Sequence, residues 1–244
     1  MNNLYLREIR LKPAASIRSC LRNLFPINFT QPITVIIGEN GCGKSTLLEG
    51  IAVKLGCNPE GGGKNFIFKT EDTHSDLHQE LILSKGHIKE KDLFFYRAET
   101  FYNLNTEIRR LDEENSFSPE IKTYYGGRDL HSISHGEAME KLFQFRLNNK
   151  GLYIFDEPEA SLSPQRQLAF VLRIFELATE GAQFIIATHS PIIMSMPGCE
   201  LLQISDGTFE KIEPGETEAY SIYKAVLNSS GEYLKKLVFD KHHV

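Results

Sequence analysis

The sequence of 244 residues is 41% hydrophobic and 24% charged, and its formal net charge is −5. These values suit a globular protein with a sizeable core and exclude nucleic-acid binding by bulk attraction, so nucleic acid would need a local basic patch. No apolar run is long enough to cross a bilayer and the four cysteines lack paired short spacing, so we expect no direct membrane insertion, no disulfide framework and a reducing, cytoplasmic location.

The first part of the sequence predicts two strands, a helix and a loop in succession. Apolar residues spaced through 4–9 indicate an early strand, and "ITVIIG" at 33–38 is a continuous β-branched run typical of a buried strand. The stretch "KSTLLEGIAVKL" predicts a helix over 44–55 that ends at Gly56. The following "CNPEGGGKN" predicts a loop, because proline and three consecutive glycines cannot sustain a helix or strand.

The rest of the sequence alternates strands and helices. Strands are predicted at 92–97, 151–157 and 182–190, and helices at 101–114, 163–178, 191–195 and 216–227. Strands that alternate with helices imply an α/β fold with a mainly parallel sheet flanked by helices. The stretch from about 57 to 149 is less regular, and we interpret it as a lobe inserted into the connectivity of the sheet. The prediction is therefore a single domain over 1–244.

A glycine-rich loop joins the predicted strand at 33–38 to the predicted helix at 44–55. Its sequence "GENGCGKST" fits the phosphate-binding pattern G-x-x-x-x-G-K-[ST] and lies between a strand and a helix, as that pattern requires. Glycines let backbone N–H groups converge on phosphate oxygens, and the helix N-terminus favours anions. We predict that Lys44 reaches the β- and γ-phosphates of a nucleotide and that Ser45 binds Mg²⁺. The predicted nucleotide-binding residues are Gly38, Glu39, Asn40, Gly41, Cys42, Gly43, Lys44, Ser45 and Thr46.

Polar side chains also end two later strands. Asp156 and Glu157 close the strand "LYIFDE", and ligands bind at the carboxyl ends of strands in such sheets. Asp156 would hold Mg²⁺ through water, and Glu157 would deprotonate the attacking water; a solvated acidic turn is the alternative. His189 follows "FIIAT" and could donate to the γ-phosphate; the alternative is a structural histidine where the next helix begins.

These features together resemble the ATP-binding-cassette ATPases, which are P-loop NTPases. The resemblance spans nearly the whole chain and is strongest to the soluble RecF-like and chromosome-maintenance-like branch, including one small bacterial group of predicted AAA-type ATPases. It is carried by "PITVIIGENGCGKSTLLEGIA", "FFYRAETFYN", "SISHGEAMEKLF", "DEPEASLSPQRQLA" and "QFIIATHSPIIM". The resemblance implies an N-terminal antiparallel β portion, a short inserted helical lobe, ATP as ligand and Mg²⁺ as cofactor.

The stretch "SHGE" has two compatible interpretations. With Ser134 as the N-cap, Glu137 completes a capping box at the start of a helix. The resemblance implies more, since "SHGE" lies where cassette ATPases carry a signature that binds the γ-phosphate of ATP held by a second subunit. Ser134 and the backbone at Gly136 would take that role. The resemblance also suggests Glu99 for the metal and water region, where transporter subunits usually have glutamine.

The residues and the resemblance together predict a cytoplasmic Mg-dependent ATPase. Lys44, Glu157 and His189 would be its catalytic residues, and ATP would close it head-to-tail into a homodimer whose conformational change acts on an unknown protein partner. DNA maintenance and defence against foreign DNA are the outputs considered. Two alternatives stay open: the ATP-binding subunit of a membrane transporter, and a nucleotide-gated clamp with little turnover. Arginines 97, 109, 110 and 128 form either a local basic patch or part of a solvated helix.

Overall fold

Two β-sheets organise the structure, a computed structural model that describes residues 4–13, 15–63, 75–101, 106, 110 and 135–240. The strands are β1 (Leu6–Leu11), β2 (Ile27–Asn28), β3 (Ile33–Gly38), β4 (Leu81–Lys85), β5 (Asp92–Arg97), β6 (Gly151–Asp156), β7 (Gln183–Ala187), β8 (Glu200–Ser205) and β9 (Thr208–Lys211). The main sheet has the order β5-β6-β7-β3-β8-β9 and is parallel except for β9. The small antiparallel sheet has the order β2-β1-β4.

Helices cover both faces of the main sheet. They are α1 (Ser19–Arg22), α2 (Lys44–Leu55), α3 (Leu77–Glu80), α4 (His135–Lys141), α5 (Pro164–Thr179), α6 (Pro191–Met194), α7 (Glu218–Asn228) and α8 (Glu232–Asp240). Short 3-10 turns lie at Ala98–Thr100, Pro158–Ser161 and Pro214–Glu216, and a π-helix at Leu142–Arg146 continues α4. The start of α5 follows from its sequence, because Ser163 accepts a hydrogen bond from the Arg166 N–H and Pro164 occupies the first helical position.

The strands of the main sheet are apolar on both sides because each side faces its own core. In β6, Tyr153 and Phe155 point into a core with α5, whereas Leu152 and Ile154 point into a core with α2 and the antiparallel sheet. Alternate side chains point to opposite faces of a strand. A strand that is buried on both faces therefore reads as a continuous apolar run, and the mainly parallel α/β fold predicted from the sequence is confirmed.

One buried amide joins the two sheets. The side chain of Gln183, at the start of β7, accepts hydrogen bonds from the backbone N–H groups of Tyr5 and Leu6 and donates one to the Leu6 carbonyl, all at 2.8–2.9 Å. Gln183 is only 1% exposed, so its polar atoms are paired within the protein. These bonds fix β1 against the amino end of the main sheet, which is opposite to the end that carries the predicted site.

Several predicted boundaries coincide with the observed elements, and one hairpin was not predicted. The predicted strands at 33–38 and 92–97 and the helix at 44–55 have the bounds of β3, β5 and α2. The unpredicted hairpin is β8–β9, which turns at Asp206 and Gly207, both with positive φ. An Asp-Gly pair between strands is a recognised hairpin signal, so the sequence did contain the information.

Most of the predicted helix at 101–114 lies outside the described residues. The proposed lobe at 57–149 is described only in part, and that part contains β4, which pairs with β1, and β5, the edge strand of the main sheet. The single domain with an inserted lobe therefore stays a prediction. Among the described residues, no helix is both long enough and apolar enough to span a membrane.

Candidate active site

The carboxyl ends of four parallel strands meet at one edge of the main sheet. From β5 to β6, β7 and β3, the register aligns Arg97, Asp156, Ala187 and Ile36. Glu157 follows β6 directly, His189 lies two residues past Ala187, and Gly38 ends β3. The fold therefore brings together, at one edge, residues that are far apart in the sequence.

The glycine-rich loop leads from β3 into α2. Gly43 has a φ of 102°, a left-handed backbone conformation that favours glycine, and a Cβ at this position would also displace a methyl group of Leu21, 2.4 Å away. The side chain of Lys44 folds back over the loop, where its Nζ donates to the Gly38 carbonyl at 2.8 Å and the Glu39 carbonyl at 2.9 Å. Lys44 is 5% exposed. A phosphate group could replace these two carbonyls as the partner of its ammonium group.

Ser45 and Asp156 are the predicted metal ligands that the structure brings into contact. The Ser45 Oγ donates to Asp156 Oδ1 at 3.1 Å, from the first turn of α2 to the end of β6. No group of three or more His, Cys, Asp or Glu side chains able to hold a metal exists within the described residues. Mg²⁺ commonly binds one or two protein oxygens and takes its other ligands from water and substrate phosphates. The Ser45 hydroxyl and the Asp156 carboxylate, which lie beside the phosphate loop, match this mode of Mg²⁺ binding.

Burial raises the pKa of Asp156 to about 6. The cause is desolvation of the carboxylate, which outweighs the hydrogen bond from Ser45 and the positive charge of Arg97; the charges of Glu157 and Glu99 raise the pKa further. A second positive charge near Asp156 would restore the charged form. Because burial destabilises the charged form of Asp156, this carboxylate is suited to receive a cation.

Glu157 and His189 face each other across the ends of β6 and β7. His189 Nε2 lies 3.7 Å from Glu157 Oε1, and both side chains are about two-fifths exposed. Glu157 has left-handed backbone angles, φ 52° and ψ 54°, and its N–H donates to the Ala187 carbonyl at 3.0 Å. Such a conformation is unfavourable for a residue with a side chain and is often found at functional sites. The His189 N–H in turn donates to Glu159 Oε1 at 2.6 Å.

Arg97 and Glu49 form an ion pair at the same edge, and Glu49 was not predicted as a site residue. Arg97 Nη1 lies 2.6 Å from Glu49 Oε2, its Nη2 3.4 Å from Glu99 Oε2, and its Nε 3.9 Å from Asp156 Oδ2. Arg97 therefore contacts acidic groups, whereas Arg109 and Arg128 lie outside the described residues, so the alternatives of a basic patch and a solvated helix stay predictions. Glu99 is 78% exposed, and its described ion pair is with Arg97. The sequence signal for Glu49 is a carboxylate between the apolar residues of α2, four residues after Ser45.

Gly136 lies in the first turn of α4, against the turn that follows Glu157. A Cβ at Gly136 would lie 2.9 Å from the Ser161 carbonyl oxygen and 2.4 Å from an Arg166 nitrogen, so α4 approaches this turn as closely as glycine permits. Ser134 lies outside the described residues, and its roles as cap and phosphate ligand stay predictions. The start of α4 and the turn at Pro158–Ser161 thus pack against each other, with Gly136 buried between them.

A family model described as "AAA domain" matches residues 15–151. The chain belongs to the AAA domain family. A second AAA domain model, whose description mentions the AbiEii toxin and a type IV TA system, matches residues 142–195. The first match includes the phosphate loop and Arg97, and the second includes Asp156, Glu157 and His189. The predicted membership of the AAA-type ATPases is thereby confirmed.

Two proteins whose sequences are similar to this AAA domain carry transporter names. The petrobactin import ATP-binding protein FpuD of Bacillus anthracis is 27% identical over 170 residues, which are 64% of this chain and 62% of FpuD. The ABC transporter G family member STR2 of Medicago truncatula is 23% identical over 177 residues, 65% of this chain and 24% of STR2. The chain thus matches less than two thirds of the length of either relative.

Solved structures establish the fold of this AAA domain. An ATP-binding cassette of an ABC transporter superposes on it with a TM-score of 0.52, and the match covers 84% of this chain and 90% of that cassette at 16% identity. The AAA domain therefore has the fold of an ATP-binding cassette, as the sequence resemblance implies.

The raised pKa of Asp156 predicts a pH-dependent effect of Asp156→Asn on stability. The pKa of the Asp156 carboxyl is higher in the folded than in the unfolded protein. Its contribution to the free energy of unfolding is therefore fully present below about pH 4 and is lost as the pH rises through about 6. At pH 8 the nucleotide-free Asn variant should therefore be more stable than the wild type by about 1–3 kcal/mol. Urea unfolding at pH 8 and pH 5 measures this difference, which should shrink at the lower pH. An equal difference at both pH values would contradict the assigned burial cost.

Proposed function

We propose that this AAA domain binds ATP with Mg²⁺ and hydrolyses it to ADP and phosphate. The observation that carries the proposal is the Ser45–Asp156 hydrogen bond of 3.1 Å, which joins the phosphate loop to the carboxylate strand beside Lys44 and Glu157. Lys44 would bind the β- and γ-phosphates through its ammonium group, with the backbone N–H groups of the loop completing the phosphate site. Ser45 and Asp156 would hold Mg²⁺, which would offset phosphate charge when bound.

Glu157 is the proposed general base of the reaction. It would accept a proton from water as the water oxygen bonds to the γ-phosphorus and the bond to the β–γ bridging oxygen breaks. The electron pair of that bond leaves with ADP. His189, 3.7 Å from Glu157, would donate a hydrogen bond to the γ-phosphate. Glu99 would have to leave Arg97 to join the metal and water region, so we propose it only for a state with bound nucleotide.

ATP is further proposed to close two copies head to tail into a homodimer. The start of α4 packs directly on the turn that follows Glu157, because Gly136 lies against Ser161, and this closeness to the proposed base supports a role for the start of α4 at the site. Ser134 and the Gly136 backbone would then bind the γ-phosphate held by the partner's loop. The conformational change would pass to a protein partner, and DNA maintenance and defence remain the proposed settings.

A transporter subunit is the second candidate function, because FpuD and STR2 carry transporter names. It predicts that the tagged protein co-purifies with an integral membrane protein from detergent-solubilised cells. The clamp alternative predicts that purified protein binds Mg-ATP and releases phosphate no faster than its Glu157→Gln variant. Phosphate release by the purified wild type therefore separates the proposed hydrolase from a clamp.

Ser134→Asp tests the head-to-tail arrangement. Aspartate is also a good helix N-cap, so the fold should persist, whereas its negative charge would repel the γ-phosphate of the partner's ATP. Phosphate release should fall by about 100-fold or more, the scale for losing an oxyanion-stabilising donor, while ATP binding by single copies stays near the wild-type level. The measurements are steady-state phosphate release, ATP affinity and thermal unfolding. Full activity in Ser134→Asp would contradict the phosphate-binding role and leave Ser134 only its predicted role as a helix cap.

A further inference from the structure

We propose that Glu49 is a positioning residue of the magnesium site, which holds the guanidinium of Arg97 away from the Asp156 carboxylate. The inference rests on the proposed function, because it concerns the same metal site. Glu49 lies four residues after Ser45 in α2, so both side chains project from the same side of the helix. Ser45 contacts Asp156, and Glu49 contacts Arg97, the residue aligned with Asp156 on the neighbouring strand.

The distances show which carboxylate holds the arginine. Arg97 Nη1 donates to Glu49 Oε2 at 2.6 Å, whereas Arg97 Nε stays 3.9 Å from Asp156 Oδ2. Nε is buried and, among the residues that the structure describes, has no hydrogen-bond partner. Buried donors are rarely left unpaired, because each one loses its bond to water. The guanidinium is therefore held short of a partner that it could otherwise reach.

Glu49 is itself fixed, so it can hold the arginine. Its side chain is 7% exposed, and its second oxygen, Oε1, accepts the Ser75 N–H at 2.8 Å. Glu99 is the other carboxylate near Arg97, at 3.4 Å from Nη2, but it is 78% exposed and screened by water. Glu49 is thus the buried anion that competes with Asp156 for the arginine.

The competition matters because Asp156 has one oxygen left for a metal. Oδ1 accepts the Ser45 hydroxyl, and Oδ2 faces the Arg97 Nε. If Glu49 lost its charge, the nearest buried carboxylate for Arg97 would be Asp156. A guanidinium bonded to Oδ2 would occupy that oxygen and cancel the charge that attracts Mg²⁺. Glu49 therefore keeps the metal carboxylate available.

A purely structural ion pair, which only ties α2 to β5, predicts a different mutational pattern. Under that role, either single change leaves a buried partner unpaired, so Arg97→Gln does about as much harm as Glu49→Gln, and the double variant does less harm than either. Under the positioning role, removing the arginine removes the competitor, so Arg97→Gln and the double variant both keep the Mg²⁺-dependent gain in affinity that Glu49→Gln loses. The contrast between Arg97→Gln and Glu49→Gln therefore distinguishes the two roles, and the double variant checks that Arg97 causes the loss.

The test measures how much Mg²⁺ strengthens binding of a fluorescent ATP analogue, by titrations with Mg²⁺ and with EDTA. Glu49→Gln should reduce the Mg²⁺-dependent gain in affinity roughly 10-fold, the scale for losing a group that supports a metal ligand. Its affinity in EDTA should match the wild type, because Lys44 and the loop carry that binding. The double variant should recover most of the gain. Circular dichroism melting checks that each variant is folded.

Two results would overturn the inference: an unchanged Mg²⁺ gain in Glu49→Gln, or a double variant no better than the single one. If Glu49→Gln does not fold, Arg97→Gln alone still tests the inference. This variant should keep the wild-type Mg²⁺-dependent gain in affinity, even if its melting temperature is lower. A smaller gain in Arg97→Gln would also overturn the inference. If the wild-type protein does not bind the analogue, the proposed function itself is overturned. This failure is distinguishable from failure of the inference, because it is seen in the wild type before any residue is changed.

Discussion

Lys44→Ala is expected to weaken ATP binding at least 100-fold. The ammonium group of Lys44 would bind two phosphates, and charge-assisted hydrogen bonds in a dry site contribute about 1.5–3 kcal/mol each. A loss of about 2.7 kcal/mol already corresponds to a factor of 100 in affinity. In the structure, Lys44 donates to the carbonyls of Gly38 and Glu39, so the substitution also removes two hydrogen bonds within the loop.

Equilibrium titration with a fluorescent ATP analogue measures this loss, and Lys54→Ala is the matched control. Lys54 belongs to the same helix, α2, but is exposed and lies in its last turn, away from the loop. The control should bind ATP like the wild type, which separates the phosphate contact from the general removal of a positive charge. Affinity in Lys44→Ala equal to that of the control would contradict the role assigned to Lys44.

The sequence could predict which residues meet at the carboxyl ends of the parallel strands. Each of these strands appears in the sequence as a short local pattern that is followed by a polar residue. The run at 33–37 is entirely β-branched and the run at 152–155 is entirely apolar, since both faces of these strands are buried. Such a run marks a strand of a covered parallel sheet, and the carboxyl ends of these strands are where ligands bind. The parallel sheet then follows from the alternation of strands and helices.

The remaining contacts depend on residues that no local pattern connects. Gln183 bonds to Leu6, 177 positions away, and Arg97 bonds to Glu49, 48 positions away. A buried glutamine or glutamate in one sequence reads as a surface residue until its partner is known. The pairing of β4 with β1 is equally non-local. These contacts are set by the tertiary fold, so the structure was needed to find them.

Glu157→Gln is expected to slow phosphate release by about 10²–10⁴-fold while ATP binding persists. Glutamine has nearly the same shape and can still accept a hydrogen bond, but it cannot take a proton from water. The left-handed backbone at Glu157 and its N–H bond to the Ala187 carbonyl do not involve the carboxylate, so the local fold should remain. With ATP bound and uncleaved, the proposed dimer should accumulate instead of reopening.

Phosphate release measures the chemical step, and sedimentation velocity with saturating Mg-ATP measures assembly. Glu210→Gln is the control, because it makes the same change at an exposed position of β9 and should leave both readings at wild-type values. A folded Glu157→Gln variant that binds Mg-ATP and stays monomeric would refute ATP-gated dimerisation without touching the assignment of the base. Wild-type turnover in the same variant would refute the base and leave dimerisation open. The two readings therefore separate the chemistry at the end of β6 from the assembly attributed to the start of α4.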